Sequence, residues 1–190
     1  LIKQNTKEDS ILLIAIITDS WNDDLSPWAS PPVFGKDPFS GKGEDTLHGL
    51  INEILPSVSK SHGLSDQTTK YILGGYSLAG LFSLWSVYRT DFFSACAAIS
   101  PSVWFKGWTE YATANDILTD IIYLSLGTRE EKTKNRLMST VGDNIRLQAE
   151  LLKDKNCLLE WNAGNHFTDP VLRTVKGFSH CISVLRDQAL

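Results

Sequence analysis

Cysteine is scarce in this sequence, and the few cysteines follow no ligand pattern. Of the 190 residues only three are cysteines, Cys96, Cys157 and Cys181, and each lies in an apolar segment. Their spacing fits no metal-binding motif, and their odd number argues against a framework of disulfides. We therefore expect reduced, buried thiols in a cytoplasmic protein, with no metal site.

The sequence also lacks an excess of positive charge and any long apolar run. The formal net charge is −4 and no basic stripe is present, so we expect no nucleic-acid partner. The longest apolar run, Ile11–Ile17, is far shorter than the roughly 20 residues that span a bilayer, so we expect no membrane insertion. The first ten residues are polar, and no signal peptide is recognisable.

No internal repeat or low-complexity tract divides the chain. Hydrophobic residues make up 42% and charged residues 21%, as is ordinary for a globular protein. A chain of this length can bury one sizeable core, so we predict a single domain over residues 1–190. Because the first residue is not methionine, we expect this domain to be truncated at its N-terminus.

The most informative stretch, residues 70–87, reads as a strand, a tight turn and a helix. Tyr71–Leu73 is a compact apolar run of high strand propensity that ends at two glycines. From Leu78 onward, apolar residues recur at helical spacing. Ser77 lies between the two patterns, in Gly-Tyr-Ser-Leu-Ala-Gly, which is close to the G-x-S-x-G elbow that presents a nucleophilic serine at the end of a strand.

Small residues around Ser77 have a physical reason in such an elbow. The serine is held in strained backbone geometry while strand and helix pass close to it, so a side chain larger than alanine at Gly75 or Ala79 would collide. The helix that begins at Leu78 directs free N–H groups at the same place, where they can stabilise an oxyanion. A glycine- and serine-rich turn without chemistry is the alternative, but the flanking strand and helix favour a catalytic Ser77.

Five apolar segments predict the strands of one mostly parallel sheet. Ile11–Ile17 is unbroken apolar sequence, typical of a strand that is buried on both faces. The other four segments are Tyr71–Leu73, Ser94–Ile99, Ile121–Leu126 and Cys157–Trp161. Amphipathic helices are predicted over 45–57, ending at Pro56, over 144–153, and over 171–185 with Val171 and Leu172 in the core. Alternating strands and helices predict a three-layer α/β fold with helices on both faces of the sheet.

Two loops that follow predicted strands hold the candidate partners of Ser77. The segment Gly-Thr-Arg-Glu-Glu leaves the fourth strand, and Glu130, nearer to the strand end, is favoured over Glu131 as a catalytic acid. His166 stands in the loop after the fifth strand. Serine, acid and histidine is the order in which hydrolase triads run along the chain. The competing interpretation places both glutamates in a solvated charge run and His166 on the surface.

Other loops at the same edge of the sheet are candidates for the walls of a pocket. Ser20 and Trp21 follow the first predicted strand, and Ser102 and Trp104 follow the third. The proline-rich loop over 22–43 carries aromatic residues, which either line the pocket or anchor the loop to the core. A plain packing role for Trp104 is equally compatible with the sequence.

In this order, the GYSLAG elbow and the segments SPSVWF, SLGTREE and GNHF resemble the esterase branch of the α/β-hydrolase superfamily, which includes siderophore esterases, feruloyl esterases and S-formylglutathione hydrolase. The likeness extends from about Ile11 to Leu185. The resemblance implies serine hydrolysis of a small-molecule carboxylic ester through an acyl-enzyme, without a cofactor. It assigns Ser77 as nucleophile, His166 as base and Glu130 as acid, although some siderophore esterases work with a serine–histidine pair alone.

The chain departs from this family pattern at two places. Ala79 stands where the elbow has its last glycine. No strand or HG-type loop precedes Ile11, although in such hydrolases that loop supplies the second oxyanion N–H beside that of Leu78. Either N-terminal strands are missing from the sequence, or Ser20 and Trp21 supply a substitute, or the activity is weakened.

The sequence therefore supports a serine esterase, with two alternatives left open. One is a non-catalytic binding or interaction protein that kept the scaffold without a complete oxyanion hole; the other is a peptidase or acyltransferase on the same triad. Homo-oligomerisation is also left open. The candidate oxyanion and substrate-binding residues are Tyr76, Leu78, Ser20, Trp21, Ser102 and Trp104.

Overall fold

A four-stranded parallel sheet forms the centre of the molecule, for which a computed structural model describes residues 11–65 and 68–188. Its strands lie in the order in which they occur along the chain, so each crossover moves one position across the sheet. In chain order the elements are α1 (Trp21–Asp24), β1 (Ala29–Ser30), β2 (Phe39–Ser40), α2 (Gly43–Gly49), a π-helical turn (Leu50–Ile54), α3 (Leu55–His62), β3 (Ile72–Tyr76), α4 (Leu78–Arg89), β4 (Ala95–Ile99), α5 (Trp108–Ala114), β5 (Ile121–Gly127), a 3₁₀ turn (Met138–Thr140), α6 (Val141–Leu151), β6 (Asn156–Asn162) and α7 (Pro170–Asp187).

Helices cover both faces of the sheet. Along β4 the side chains alternate between two cores: Cys96 and Ala98 face the larger one, whereas Ala95 and Ala97 face a smaller one that includes Cys181 of α7. All five residues of β4 are buried. α4 packs against β3 and β4, and α7 packs against β3, β4 and β5. The predicted three-layer α/β architecture is thus confirmed.

The prediction of a first strand over Ile11–Ile17 is wrong. Residues 11–17 form no strand, and most of their side chains are exposed, with Ile17 at 93%. The sheet begins instead at β3. An apolar run becomes a buried strand only when it gains a hydrogen-bonded neighbour, and among the described residues this segment has no paired strand. Ile14 alone of this run packs, partly buried, against the larger core.

The helix predicted to end at Pro56 continues to His62. A π-helical turn separates α2 from α3, and the Leu55 N–H donates to the carbonyl of Leu50, five residues back. This wider turn places Pro56 in the first turn of a new α-helix. Backbone N–H groups in a first turn form no intrahelical hydrogen bond, so the absence of an N–H on proline costs nothing there. The helix therefore restarts at the proline instead of ending there.

The first turn of α7 also differs from the prediction. Val171 and Leu172, expected in the core, are 64% and 55% exposed. The buried face of α7 instead begins at Arg173 and continues through Gly177 and Cys181, at four-residue spacing.

No helix within residues 11–65 and 68–188 is both long and apolar enough to cross a bilayer.

Candidate active site

Ser77 occupies a strained position at the turn between β3 and α4. Its φ of 61° and ψ of −121° lie where side-chain-bearing residues are rarely found. Three backbone hydrogen bonds hold this geometry: the Ser77 N–H donates to Ile99 O at 3.0 Å, and Ser77 O accepts from the N–H groups of Leu81 at 3.0 Å and Ser102 at 3.1 Å. The strained backbone sets Ser77 at the C-terminal end of the strand, immediately before the first turn of α4.

The elbow is as crowded as its sequence predicts. A Cβ placed on Gly75 would lie 2.6 Å from the Cβ and backbone of Ala79, and one on Gly80 would lie 2.9 Å from the carbonyl oxygen of Gly75. Contacts this short do not occur between real Cβ atoms and their neighbours. The alanine at position 79 is accommodated because its methyl group faces a glycine.

His166 lies beside Ser77, although 89 residues separate the two along the chain. Its Nε2 is 3.0 Å from Ser77 Oγ. The loop after β6 that carries His166 is held from the neighbouring elbow, because the hydroxyl of Tyr76 donates to the His166 carbonyl at 2.6 Å. The imidazole side chain is 29% exposed, so it is fixed in place while one side remains open to solvent.

Glu130 completes the arrangement from the turn after β5. Its Oε2 is 2.7 Å from His166 Nδ1, and its side chain is only 4% exposed. Since a carboxylate only accepts, Nδ1 carries the proton and Nε2 is left to accept from the Ser77 hydroxyl. Glu131 lies apart from this site and pairs with Arg146 at 3.3 Å.

The pKa of the Glu130 carboxyl lies below its ordinary value. Burial alone would raise this pKa, but the hydrogen bond and charge of His166, the Gly127 N–H and the Ser100 hydroxyl together outweigh that effect. The Gly127 N–H and the Ser100 hydroxyl donate to Oε1 at 2.7 and 2.8 Å. Glu130 is therefore held as a carboxylate beside the imidazole.

Sequence reasoning missed Arg173, which lies behind this group of side chains. Its Nη1 is 2.9 Å from Glu130 Oε1, and the residue is 1% exposed. A signal was present, because Arg173 shares the four-residue spacing of Gly177 and Cys181 on the buried face of α7. An arginine on a buried face requires a partner within reach. Ser100, which adopts a φ of 44° and donates to Glu130, was also missed.

The candidate oxyanion and substrate-binding residues lie in different surroundings. Leu78 opens α4, whose first-turn N–H groups have no intrahelical acceptor. Ser102 is buried with its Oγ 3.4 Å from Ser77 Oγ, and Trp104 is buried in the larger core. Tyr76, expected to contact substrate, uses its hydroxyl to hold the histidine loop.

Ser20 and Trp21 are not brought to Ser77 by any contact that the described residues show. The Ser20 N–H and hydroxyl donate to the carboxylates of Asp24 and Asp23, each at 2.9 Å. Trp21 is exposed. Their part in an oxyanion hole stays a prediction.

In the described part of the chain, neither a metal cluster nor the cavity beside α3 coincides with Ser77. Across residues 11–65 and 68–188, no three His, Cys, Asp or Glu side chains come together in a way that could hold a metal ion. A cavity of about 620 Å³ lies between Leu55, Tyr71 and Phe92. Tyr71 precedes β3 whereas Ser77 follows it, so this cavity is at the opposite end of the strand.

Comparison with solved structures identifies the fold. The siderophore hydrolase EstB from Aspergillus nidulans matches with a TM-score of 0.68 at 20% identity, over 84% of this chain. Siderophore hydrolase EstA from the same organism matches with a TM-score of 0.69 at 19% identity, over 92% of this chain. An IroE-like serine hydrolase from Shewanella oneidensis matches with a TM-score of 0.63 at 19% identity, over 84% of this chain. The chain therefore has an α/β-hydrolase-like fold.

These matches cover only part of the neighbouring structures. The chain spans 63% of EstB, 70% of EstA and 55% of the IroE-like hydrolase. No family model matches the sequence, and a search of curated proteins finds no relative.

Proposed function

We propose that this chain is a serine esterase that cleaves a small-molecule carboxylic ester through an acyl-enzyme. The observation that carries the proposal is the continuous hydrogen-bonded series from Ser77 through His166 to Glu130, with distances of 3.0 and 2.7 Å. A serine, an imidazole and a buried carboxylate in this order are the parts that nucleophilic acyl transfer requires.

In the proposed reaction, His166 removes the proton from Ser77 Oγ as that oxygen attacks the ester carbonyl. Glu130 keeps the imidazole oriented and stabilises the positive charge that it acquires. The C–O bond to the alcohol then breaks, and His166 returns the proton to the leaving oxygen. Water then attacks the acyl-enzyme while His166 removes its proton. The bond to Ser77 Oγ breaks, His166 returns the proton to this oxygen, and the acid is released.

The negative charge on the tetrahedral intermediate needs hydrogen-bond donors. Leu78 supplies one, because its N–H is the first of α4 and follows the nucleophile directly. The 12-residue helix adds a partial positive charge at this end. Ser102, whose hydroxyl is 3.4 Å from that of Ser77, is proposed to contact the substrate beside the nucleophile.

Two observations bear on the ester that this site would cleave. The neighbours of similar fold include proteins named as siderophore hydrolases. In this chain Phe167 is 85% exposed, and its ring meets the imidazole of His166 edge-on with centroids 5.3 Å apart. Val171 and Leu172, in the first turn of α7, are exposed as well. We assign the Phe167 ring to contact with the acyl or alcohol part of the ester, and no cofactor is required.

The direct test is the replacement Ser77→Ala. We expect turnover of p-nitrophenyl acetate and labelling by a fluorophosphonate probe to be abolished, because both need the serine oxygen, while the melting temperature stays near that of the wild type. Ser61→Ala, which removes an exposed serine on α3, is the matched control and should behave as wild type. Unchanged turnover in Ser77→Ala would reject the assignment.

One observation favours a second candidate, a non-catalytic binding protein on the same scaffold. Among the described residues, Leu78 is the only oxyanion donor that the fold identifies. Loss of one such donor costs about 10²- to 10³-fold in rate. A folded wild-type chain that takes no fluorophosphonate label would support this candidate over the esterase.

A further inference from the structure

We propose that Arg173 is a positioning residue that fixes the acid and the histidine loop relative to each other. The inference rests on the proposed function, since it assigns Arg173 a part in the same site. Arg173 touches neither Ser77 nor the imidazole ring in the contacts that the described residues show, so it would act through Glu130 and through the loop after β6.

The contact with the acid leaves one carboxylate oxygen for the histidine. Glu130 Oε1 accepts from Arg173 Nη1 at 2.9 Å, from the Ser100 hydroxyl at 2.8 Å and from the Gly127 N–H at 2.7 Å. Oε2 accepts from His166 at 2.7 Å. Three donors on one oxygen fix the rotation of the carboxylate, so the other oxygen is presented to the imidazole in one orientation.

The same guanidinium also holds the loop that carries the base. Arg173 Nη2 donates to the carbonyls of Ala163 and Asn165, each at 3.0 Å. Nη1 lies 3.3 Å from the hydroxyl of Tyr76, which in turn donates to the His166 carbonyl. One planar group therefore joins the turn after β5, the end of β3 and the loop after β6.

The surroundings leave the guanidinium little room to move. A Cβ on Gly127 would lie 2.8 Å from Glu130 Oε1 and 3.0 Å from Arg173 Nη1, so the glycine makes space for this pair. α7, which carries Arg173, packs against three strands of the sheet. A lysine at this position would keep the charge but has no planar fork to reach the acid and two carbonyls together.

A purely structural ion pair is the competing interpretation, because removing one partner of a buried pair destabilises most proteins. The two interpretations differ in what accompanies a loss of activity. A positioning role predicts a fall in kcat that exceeds any loss of folded protein, with KM little changed. A structural role predicts activity that follows the folded fraction alone.

The pH profile separates the two interpretations further. The titratable groups facing Glu130 are His166 from the loop after β6 and Arg173 from α7. Removing the guanidinium removes a positive charge beside the hydrogen-bonded pair of Glu130 and His166, so the pair would take up a proton at a higher pH. The acid limb of kcat/KM should therefore move upward, by about one pH unit.

The experiment compares Arg173→Gln and Arg173→Lys with Lys176→Gln as the matched control. Lys176 lies on the same helix and pairs with Glu160 and Asn162, away from Glu130. Each purified chain is measured for kcat and KM on p-nitrophenyl acetate between pH 5 and 9, for folded fraction, and for amide hydrogen exchange in the 163–168 loop.

For Arg173→Gln we expect kcat to fall by about 10²-fold in the folded protein, because small displacements of catalytic groups have effects of this size. The acid limb should move upward and the loop amides should exchange faster. Arg173→Lys should recover part of each effect, and Lys176→Gln should show none.

Wild-type kcat and loop exchange in a folded Arg173→Gln chain overturn the inference. If that variant does not fold, Arg173→Lys decides, and wild-type kcat with an unmoved acid limb overturns the inference equally. A wild-type chain that neither turns over ester nor takes the fluorophosphonate label rejects the proposed function and this inference together. Activity in the wild type with no effect in the variants rejects the inference alone.

Discussion

Among the described residues, three other than glycine have positive φ: Ser77 at 61°, Ser100 at 44° and Asp169 at 50°. Ser77 follows β3, Ser100 follows β4 and donates to Glu130, and Asp169 immediately precedes α7. Such strain costs on the order of 1–3 kcal/mol per residue and persists only where the surrounding structure enforces it. At Ser77 and Ser100 it places a hydroxyl beside the imidazole and the carboxylate of the candidate site.

Glu130→Gln tests the acid at the level of a single residue. The amide keeps the shape of the carboxylate but cannot stabilise an imidazolium, so we expect kcat to fall by about 10²- to 10⁴-fold. Glu131→Gln, which affects only the pair with Arg146, should retain wild-type kcat. Equal activity in both variants would mean that a serine–histidine pair suffices.

The same substitution has a consequence for stability that depends on pH. Because the folded pKa of Glu130 is lowered, its carboxylate stabilises the fold fully above the ordinary value of 4.5, and this contribution is lost as the pH falls through the folded pKa. The difference in free energy of unfolding between wild type and Glu130→Gln should therefore be constant near neutrality and narrow below pH 4.5 in urea titrations.

At this scale the sequence could predict residues that belong to a motif but not those that support it. Ser77 stands in a recognisable elbow, and Glu130 and His166 follow strands in a known order. Arg173, Ser100 and the loop-holding hydroxyl of Tyr76 belong to no motif. Their contacts depend on how α7 and three strand ends meet in space, which spacing along the chain does not reveal.

Among elements, the junction of β3 and α4 leaves no space for a larger side chain at Gly75. We expect Gly75→Ala to lower the free energy of unfolding by about 1–3 kcal/mol, because the added methyl group would overlap Ala79. Gly49→Ala, at a helical site with open space around it, should be neutral or stabilising. Urea unfolding measures both, and equal stability of the two variants would contradict the crowding.

The sequence predicts a helix or strand correctly where the local pattern determines the structure. It fails where contacts with the rest of the molecule determine it. β4 and β5 were predicted from apolar runs that are buried on both faces. Ile11–Ile17 has the same pattern but no paired strand among the described residues, so the pattern alone was insufficient. A proline such as Pro56 usually marks the end of a helix. The π-helical turn that precedes it here has no clear sequence signature.

For the whole molecule, exposed apolar side chains and the edge strands of the sheet are the features expected to affect behaviour in solution. Within the described residues β3 pairs only with β4, and Leu13 and Ile17, which precede the sheet in the sequence, are exposed. Exposed apolar side chains and an unpaired strand edge both favour association. Whether copies of this chain associate stays a prediction.

Ile17→Lys tests this expectation. We expect less light scattering at high protein concentration, because a large exposed apolar side chain is lost. The substitution changes the net charge from −4 to −3, which by itself reduces solubility, so a decrease must come from the apolar surface. Leu118→Lys makes the same change of charge at a leucine that is only 49% exposed, and it should lower the scattering less than Ile17→Lys.

The buried thiols between the sheet and α7 can be used to measure how often this helix separates from the sheet. Cys96 on β4 and Cys181 on α7 are fully buried, and the Cys181 thiol donates to the Cys96 carbonyl. Burial raises the pKa of Cys181 to about 12, so at neutral pH the reactive thiolate is scarce as well as inaccessible. A maleimide can therefore modify Cys181 only after α7 has lifted from the strands. The rate of that modification therefore reports how often α7, the helix that carries Arg173, separates from the sheet.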